Sequence, residues 1–410
     1  MSTVTETALG AHSEVGKLRT VMVHRPDLAH ERLSPSNCHE LLFDDVIWVR
    51  RARQEFDAFV DLMRDRGVEV LILHDLLSQT LEDREARDWL LSRRLRPEEV
   101  TVMFTEPLTD WLTEVPADDL ATRLTGGVTV QELPDEIRSA IGPALKPTDF
   151  VLPPLPNQLF TRDPSAWLYG GVSLNPMFWP ARQLETLNVE AIYRFHPRFR
   201  DAGFPIWFGG ADHDWGLARL EGGDMMPAGD GVVLVGMGER STARAVSILA
   251  RNMFETDAAR LVIGAQMPRE RAAMHLDTVF SFCDRDIVTL YEPVVSQIRP
   301  ILFRPGGAAG VQAEVSERSF LDEMKDALGI EALKVVTTGG DEFEAERNQW
   351  DDGNNVVALE PGVVVAYERN EATNAKLAKA GIEVLAIAGQ ELGRGRGGGH
   401  CMTCPIVREA

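Results

Sequence analysis

The feature that most constrains the fold of this chain is a recurring unit: a strand, a tight turn, a second strand, an amphipathic helix and a third strand. It is clearest near the C-terminus. There, Asn355-Val-Val-Ala-Leu359 runs into the turn Glu360-Pro-Gly362, then Val363-Val-Val-Ala-Tyr367, a helix around Ala372 to Lys379, and Ile382-Glu-Val-Leu-Ala-Ile387. Gly381 supplies the left-handed backbone that ends such a helix. The same order can be traced four more times. The first unit takes Leu18 to Val23, a helix with Val49, Ala52, Phe56, Phe59 and Met63 at three-to-four-residue spacing, Gly67 as a stop, and Val68 to Leu73. The second takes Ser165 to Tyr169, the turn Gly170-Gly171, Val172 to Leu174 and a helix from about Arg182. The third takes Gly223 to Met226, the turn Ala228 to Gly231, Val232 to Val235 and a helix from Thr242 to Phe254. The fourth takes Thr278 to Phe282, the turn Asp284-Arg285, Ile287 to Leu290, a helix near Ser319 to Leu328, and Leu333 to Val336.

Units this short cannot bury their sheets alone, so each must pack on its neighbours, and a closed ring does this without exposing sheet edges. The expected fold is an α/β, five-bladed pseudo-symmetric propeller of ββαβ repeats over residues 1–75 and 146–410. Between them, 76–145 breaks into short helical segments carrying Leu81, Trp89, Leu90, Trp111, Leu112, Leu120 and Ile137, with no strand pair. It reads as an inserted helical domain following the first unit.

Composition narrows the function. With 42 basic and 63 acidic residues the net charge is -21, which opposes phosphate backbones and anionic lipid and suits a cationic small substrate. Neither nucleic acid nor a membrane is an expected partner. The segment Met1 to Glu14 is polar with no apolar core of a leader, and four cysteines, Cys38, Cys283, Cys401 and Cys404, cannot form a disulfide framework. A cytoplasmic protein is expected.

The most specific chemical signal is Gly393-Arg-Gly-Arg-Gly-Gly-Gly-His400-Cys401. Five glycines in seven residues allow close approach of backbone to a ligand, and a cysteine at the end of such a loop is a candidate nucleophile. A flexible tail, a redox pair with Cys404, and half of a zinc site are the competing readings. His275 and Asp277 open the fourth unit, where strand alternation would point both side chains the same way. At matching places stand Phe160-Thr-Arg-Asp163 in the second unit and Leu220-Glu221-Gly-Gly-Asp224 in the third, so acids converge from three units on one axis, a costly arrangement unless a cation fills it. Pro154-Leu-Pro156-Asn157 forms a rigid loop beside them, and Arg182 and Arg240 follow the second strands of their units.

The chain resembles the arginine deiminase family nearly end to end. The segments that carry the likeness are Ser36 to Asp45, Pro153 to Asn157, Phe160 to Asp163, Asn175-Pro-Met177, Leu220 to Asp224, Gly236 to Arg240, Met274 to Asp277, Trp350 to Asn355 and Gly393 to Cys401. That family's fold is the five-bladed propeller with a helical insertion. The resemblance implies hydrolysis of free L-arginine to L-citrulline and ammonia through a covalent S-alkylthiouronium on Cys401. It makes His275 the general acid and base, Asp163 and Asp277 the clamp on the guanidinium, and Glu221 an assistant in binding and proton transfer. Phe160 joins the substrate-binding set; Asn157, Arg182 and Arg240 would hold the α-carboxylate, and Arg396 would be a mobile arginine at the mouth. Asp224 would stand behind these groups. No metal or organic cofactor is required, because nucleophile, acid and charge clamp are all side chains. A homo-oligomer, dimer or tetramer, is expected. The alternatives are an amidinotransferase or dimethylarginine hydrolase of the same fold, and, from a different class, an arginine-binding protein.

Overall fold

The computed structural model describes residues 9–100, 102–141 and 145–410; the first eight residues of the polar N-terminal segment lie outside them. In three of the five units the pattern of sequence becomes a three-stranded sheet for a simple reason. A tight turn can join only antiparallel strands, and the parallel third strand needs a crossover long enough to hold a helix. In the second unit Ser165–Leu168 pairs antiparallel with Gly171–Leu174, which pairs parallel with Ile206–Gly209 after the helix Glu185–Phe195. The fourth unit has Phe280–Asp284, Ile287–Leu290, the helix Phe320–Ala327 and Lys334–Thr337. The fifth has Val357–Glu360, Val363–Tyr367, the helix Glu371–Ala380 and Glu383–Ile387, with Gly381 closing the helix at φ 101°.

Two units depart from the expected plan. In the third, Met225–Gly229, Val232–Met237 and Leu261–Gln266 are joined by a hairpin, Arg299–Pro305 with Val311–Val315, that widens the sheet to five strands. This hairpin lies in the sequence between the second strand and the helix of the fourth unit. In the first unit Leu18–Val23 pairs parallel with Glu69–Ile72 across the helix Val49–Asp65, whose Ala52, Phe56, Phe59 and Met63 are buried. Its antiparallel neighbour comes from the other end of the chain: Cys404–Arg408 pairs with Leu18–Val23, and Gly10–Ala11 adds a fourth strand. The five sheets touch in cyclic order. Cys404–Arg408 contacts Ser165–Leu168, which contacts Met225–Gly229; the turns Gly222–Asp224 and Leu276–Thr278 touch; Phe280–Asp284 contacts Val357–Glu360, which contacts Leu18–Val23.

Helices Leu73–Thr80, Arg84–Arg94, Val102–Glu114, Ala117–Gly126 and Asp135–Ile141 occupy the stretch after the first unit. They share a hydrophobic core with Trp167, Val172 and Leu174 of the second unit and with Met22, Ile406 and Val407 of the first sheet, so they pack on the second unit and its helix and also reach the first. Val128–Thr129 pairs with Phe150–Leu152, a short ladder at the end of a segment that reads in sequence as free of strand pairs. Two-residue strands carry too little alternation to register as a pattern. Among the described residues no helix is long and apolar enough to cross a membrane.

Candidate active site

Four of the units deliver functional side chains from the few residues just before their first strand, and the first unit does so through its borrowed strand. Asp163 precedes Ser165–Leu168, Glu221 and Asp224 precede Met225–Gly229, His275 and Asp277 precede Phe280–Asp284, Asn355 precedes Val357–Glu360, and Cys401 precedes Cys404–Arg408. His275 and Asp277 do not sit on a strand as expected. His275 is extended and Leu276–Thr278 is a turn of 3₁₀ helix, so strand alternation is the wrong reason for their convergence. A helical turn advances the chain by only about 2 Å per residue, which stacks neighbouring side chains at the end of the sheet.

A small cavity of about 10 Å³ is lined by Asn157, Phe160, Asp163, Arg182, Arg240, His275, Arg396 and Cys401, with Leu42, Arg271, Met274 and Gly395 completing the wall. The Cys401 sulfur lies 3.3 Å from Asp277 Oδ2 and accepts from Asn355 Nδ2 at 3.1 Å. Burial pushes this thiol well above its ordinary pKa, and the carboxylates of Asp277, Asp163 and Asp352 push it further. His275 Nε2 is 2.7 Å from Glu221 Oε2, and its Nδ1 is 3.6 Å from Asp163 Oδ1. Burial alone would lower the pKa of His275, but Asp163, Glu221 and Asp224 outweigh it and raise it to about 9. Burial likewise opposes charge on Glu221, yet Arg240 and His275 hold its carboxyl below the usual range. The glycines here are obligatory. A Cβ on Gly223 would lie 2.7 Å from His275 Nδ1 and 2.9 Å from Asp163 Oδ1.

The binding residues divide by how fully they are occupied. Arg182 donates to Asp163 Oδ2 at 2.6 Å, to Glu185 Oε2 at 2.9 Å and to the carbonyl of Asn157 at 3.1 Å, so in this site it braces the clamp and has little left for a ligand. Among the described residues Arg240 makes one side-chain hydrogen bond, at 3.3 Å, to Glu221 Oε2; its Nε lies 3.8 Å from Glu239 Oε2, too far for a hydrogen bond. Arg396 is buried in the left-handed region at φ 64°, stacked 3.6 Å from the Trp350 ring centroid, with all three guanidinium nitrogens lacking hydrogen-bond partners among the described residues. Asn157 donates to the carbonyl of Leu41 at 2.7 Å, joining the loop of 36–45 to the cavity wall. The Phe160 ring packs beside Phe43 with centroids 6.4 Å apart and fills the space left by Gly395 and Gly397.

Asp224 lies behind the site. It accepts from Ser241 Oγ at 2.5 Å and from the amide of Leu276 at 2.9 Å, linking the third and fourth units, and burial raises its pKa to about 6. Asp163, Glu221 and His275 bring ligand-type atoms within 4.8 Å of one another, but Arg182 and Arg240 already supply the positive charge at those two carboxylates. Cys404 faces Ser165 and Tyr193 in the core, away from the cavity.

Sequence reasoning did not single out several residues that the fold brings in. Asn355 accepts from the amides of Gly398 and Cys401, each at 3.0 Å, and so ties down the glycine-rich loop. Glu185, Asp352, His400 and Glu14 are buried charged or polar groups around the clamp. Their common signal is position: Asn355 and His400 stand beside the first-strand starts that carry the other site groups. Glu14 has no such signal.

The fold is shared with solved structures of other proteins. SxtG, an amidinotransferase from Microseira wollei in the saxitoxin biosynthetic pathway, matches with a TM-score of 0.57 at 11% identity, over 98% of this chain and 98% of that chain. A dimethylarginine dimethylaminohydrolase in an adduct with S-methyl-L-thiocitrulline matches with a TM-score of 0.52 at 12% identity, over 95% of this chain and 100% of that chain. At such identities these likenesses establish a common α/β fold and nothing finer. A family model described as arginine deiminase matches residues 39–408. That span holds the whole cavity wall from Leu42 to Cys401, its acids, its histidine and its cysteine included, and the chain belongs to the arginine deiminase family.

Proposed function

We propose that this protein hydrolyses free L-arginine to L-citrulline and ammonia, with Cys401 as nucleophile. The observation that carries the reading is the grouping, at one small cavity, of a buried thiol, an imidazole raised to about 9, the carboxylate of Asp163 in the wall with that of Asp277 beside the sulfur, and arginines with unused donors. The match to the arginine deiminase family favours this reaction over amidine transfer or hydrolysis of methylated arginines.

A guanidinium carbon is a poor electrophile, because its charge is spread over three nitrogens. Asp163 and Asp277 fix its plane and bring the carbon to about 3–3.5 Å from sulfur. The arriving cation offsets the carboxylates that hold the Cys401 thiol protonated, so substrate binding favours the thiolate. Sulfur then bonds to the guanidinium carbon, the carbon–nitrogen bond breaks, and the proton held by His275 leaves with ammonia. The product of this half-reaction is a cationic S-alkylthiouronium. Neutral His275 next takes a proton from water as its oxygen attacks the same carbon, and the carbon–sulfur bond breaks to release citrulline and the thiolate. Arg240 and Arg396 hold the α-carboxylate, while Arg182 keeps Asp163 ionised and in place. No resident metal or cofactor enters the scheme.

The five sheets in cyclic contact support a five-bladed propeller with 76–145 inserted, and we read the protein as a cytoplasmic homo-oligomer. The test of function is incubation with L-arginine and assay of citrulline and ammonia, with agmatine and N-methylated arginines as comparators. Loss of preference for arginine over agmatine in Arg240→Ala supports the carboxylate assignment. Formation of amidinated amine in place of citrulline, when glycine or another amine is supplied, overturns the hydrolase reading.

A further inference from the structure

Asp277 is held from behind by a chain of buried groups that the proposed chemistry does not use. Its Oδ2 lies 2.8 Å from His400 Nδ1, and the opposite ring nitrogen, Nε2, lies 2.9 Å from Glu14 Oε2. Glu14 is anchored in turn: Arg162 Nη1 is 3.8 Å from its Oε1, and Arg408 donates to its carbonyl at 2.8 Å. Arg162 also donates to the carbonyl of His400 at 3.3 Å. His400 and Glu14 are 2% and 6% exposed, so solvent does not compete for these bonds. Glu14 precedes the segment matched by the family model.

An ionised carboxylate only accepts hydrogen bonds. A carboxylate oxygen stands at each ring nitrogen of His400, and both carboxylates are satisfied at once only when both nitrogens donate. Asp277 Oδ2 is thereby committed to His400 and the Cys401 thiol, while Oδ1 is buried with no partner among the described residues. That oxygen is the one left to a substrate N–H. We propose that Glu14 and His400 form a positioning pair that locks His400 as a cation and turns Asp277 so that one oxygen faces the substrate guanidinium. This rests on the reading of Asp277 as part of the clamp.

The groups facing Asp277 are His400, Cys401, His275 and, through space, Asp352; those facing Glu14 are His400, Arg162 and Arg408. Burial works against charge on both acids, and His400 is the leading influence that holds each below its ordinary pKa. Removing the positive charge from His400 therefore raises the pKa of Asp277. Glu14→Gln does this with little change of shape. The amide can donate to His400 Nε2, which lets the ring become neutral while Nδ1–H still donates to Asp277.

Two measurements test the pair. In protein labelled with ¹⁵N-histidine, with His400 assigned by its loss in His400→Gln, the ring shows two bonded protons near neutral pH in the wild type and one in Glu14→Gln. A single ring proton in the wild type overturns the proposal. In kinetics with L-arginine, Glu14→Gln moves the acidic limb of kcat/KM up by about one pH unit, about tenfold on that limb, with little change on the plateau. Glu14→Asp returns the limb toward its original place. A limb that does not move, or a loss equal at every pH, overturns the proposal. Absence of arginine turnover in the wild type would instead sink the proposed function, and the ring-proton measurement would still decide the charge state of His400.

Discussion

Asn355→Asp is the sharpest single test of how the nucleophile is controlled. The change is nearly isosteric, and Oδ1 can still accept from the amides of Gly398 and Cys401. The other branch changes from donor to acceptor at 3.1 Å from the Cys401 sulfur and 3.1 Å from the carbonyl of Asp277. A unit charge at that distance from a thiolate costs about 5 kcal/mol at an effective dielectric near 20. Relaxation and the nearby His275 and Arg396 reduce this, and a net effect of about 3 kcal/mol corresponds to roughly two pKa units. The thiolate then becomes about a hundredfold scarcer at a given pH, and kcat/KM falls by about the same factor. The assay is the rate of iodoacetamide alkylation against pH beside steady-state kinetics, with thermal unfolding as a check on folding. Asn355→Ala is the control, because it adds no charge but leaves two buried amides without acceptors, at about 1–3 kcal/mol of stability each. An Asp variant whose alkylation profile is unmoved, and whose kcat/KM stays within about threefold of wild type, refutes the reasoning.

Cys401→Ala should abolish turnover with the fold intact, while Cys404→Ser and Cys283→Ser stay active; more than about a thousandth of wild-type rate in Cys401→Ala would argue against covalent catalysis. Gly223→Ala should be inactive even though the residue carries no chemistry, since its methyl would collide with His275 and Asp163, and an active variant would show that the clamp can shift. Stability should fall as pH rises from about 5 to 9. Burial raises the carboxyls of Asp224, Glu185 and Asp352 to about 6, 7 and 7, and the acids around His275 raise it to about 9 despite its burial, so the folded state holds protons that the unfolded chain releases. His275 contributes stability in full below its unfolded value near 6.5 and loses it as pH passes 9, so His275→Gln should flatten the melting temperature over that upper window and leave the lower one sloping.

What the sequence alone determined was local or repetitive. Period-two strands, a 3.6-residue stripe from Ala52 to Met63, and Gly381 as a helix stop are properties of neighbouring residues, so the ββαβ order could be read unit by unit. The glycine-rich run ending at Cys401 and the family resemblance likewise placed most of the cavity residues. Tertiary structure decided whatever depends on partners far apart in the chain. That Cys404–Arg408 completes the first sheet, and so sets Cys401 at the same station as Asp163, Glu221, Asp277 and Asn355, has no local signature, because strand pairing across the whole chain leaves no period to detect. The mode of convergence at His275 and Asp277 was also hidden, since a single 3₁₀ turn is too short to impose a pattern. The same holds for charge. Arg182 reads in sequence as a carboxylate binder, but whether a guanidinium is free or spent depends on which acids the fold sets beside it, and here Asp163 and Glu185 take it. Glu14 lies far along the chain from His400 and Asp277, and only the packing of the first strands against one another brings its carboxylate behind the clamp.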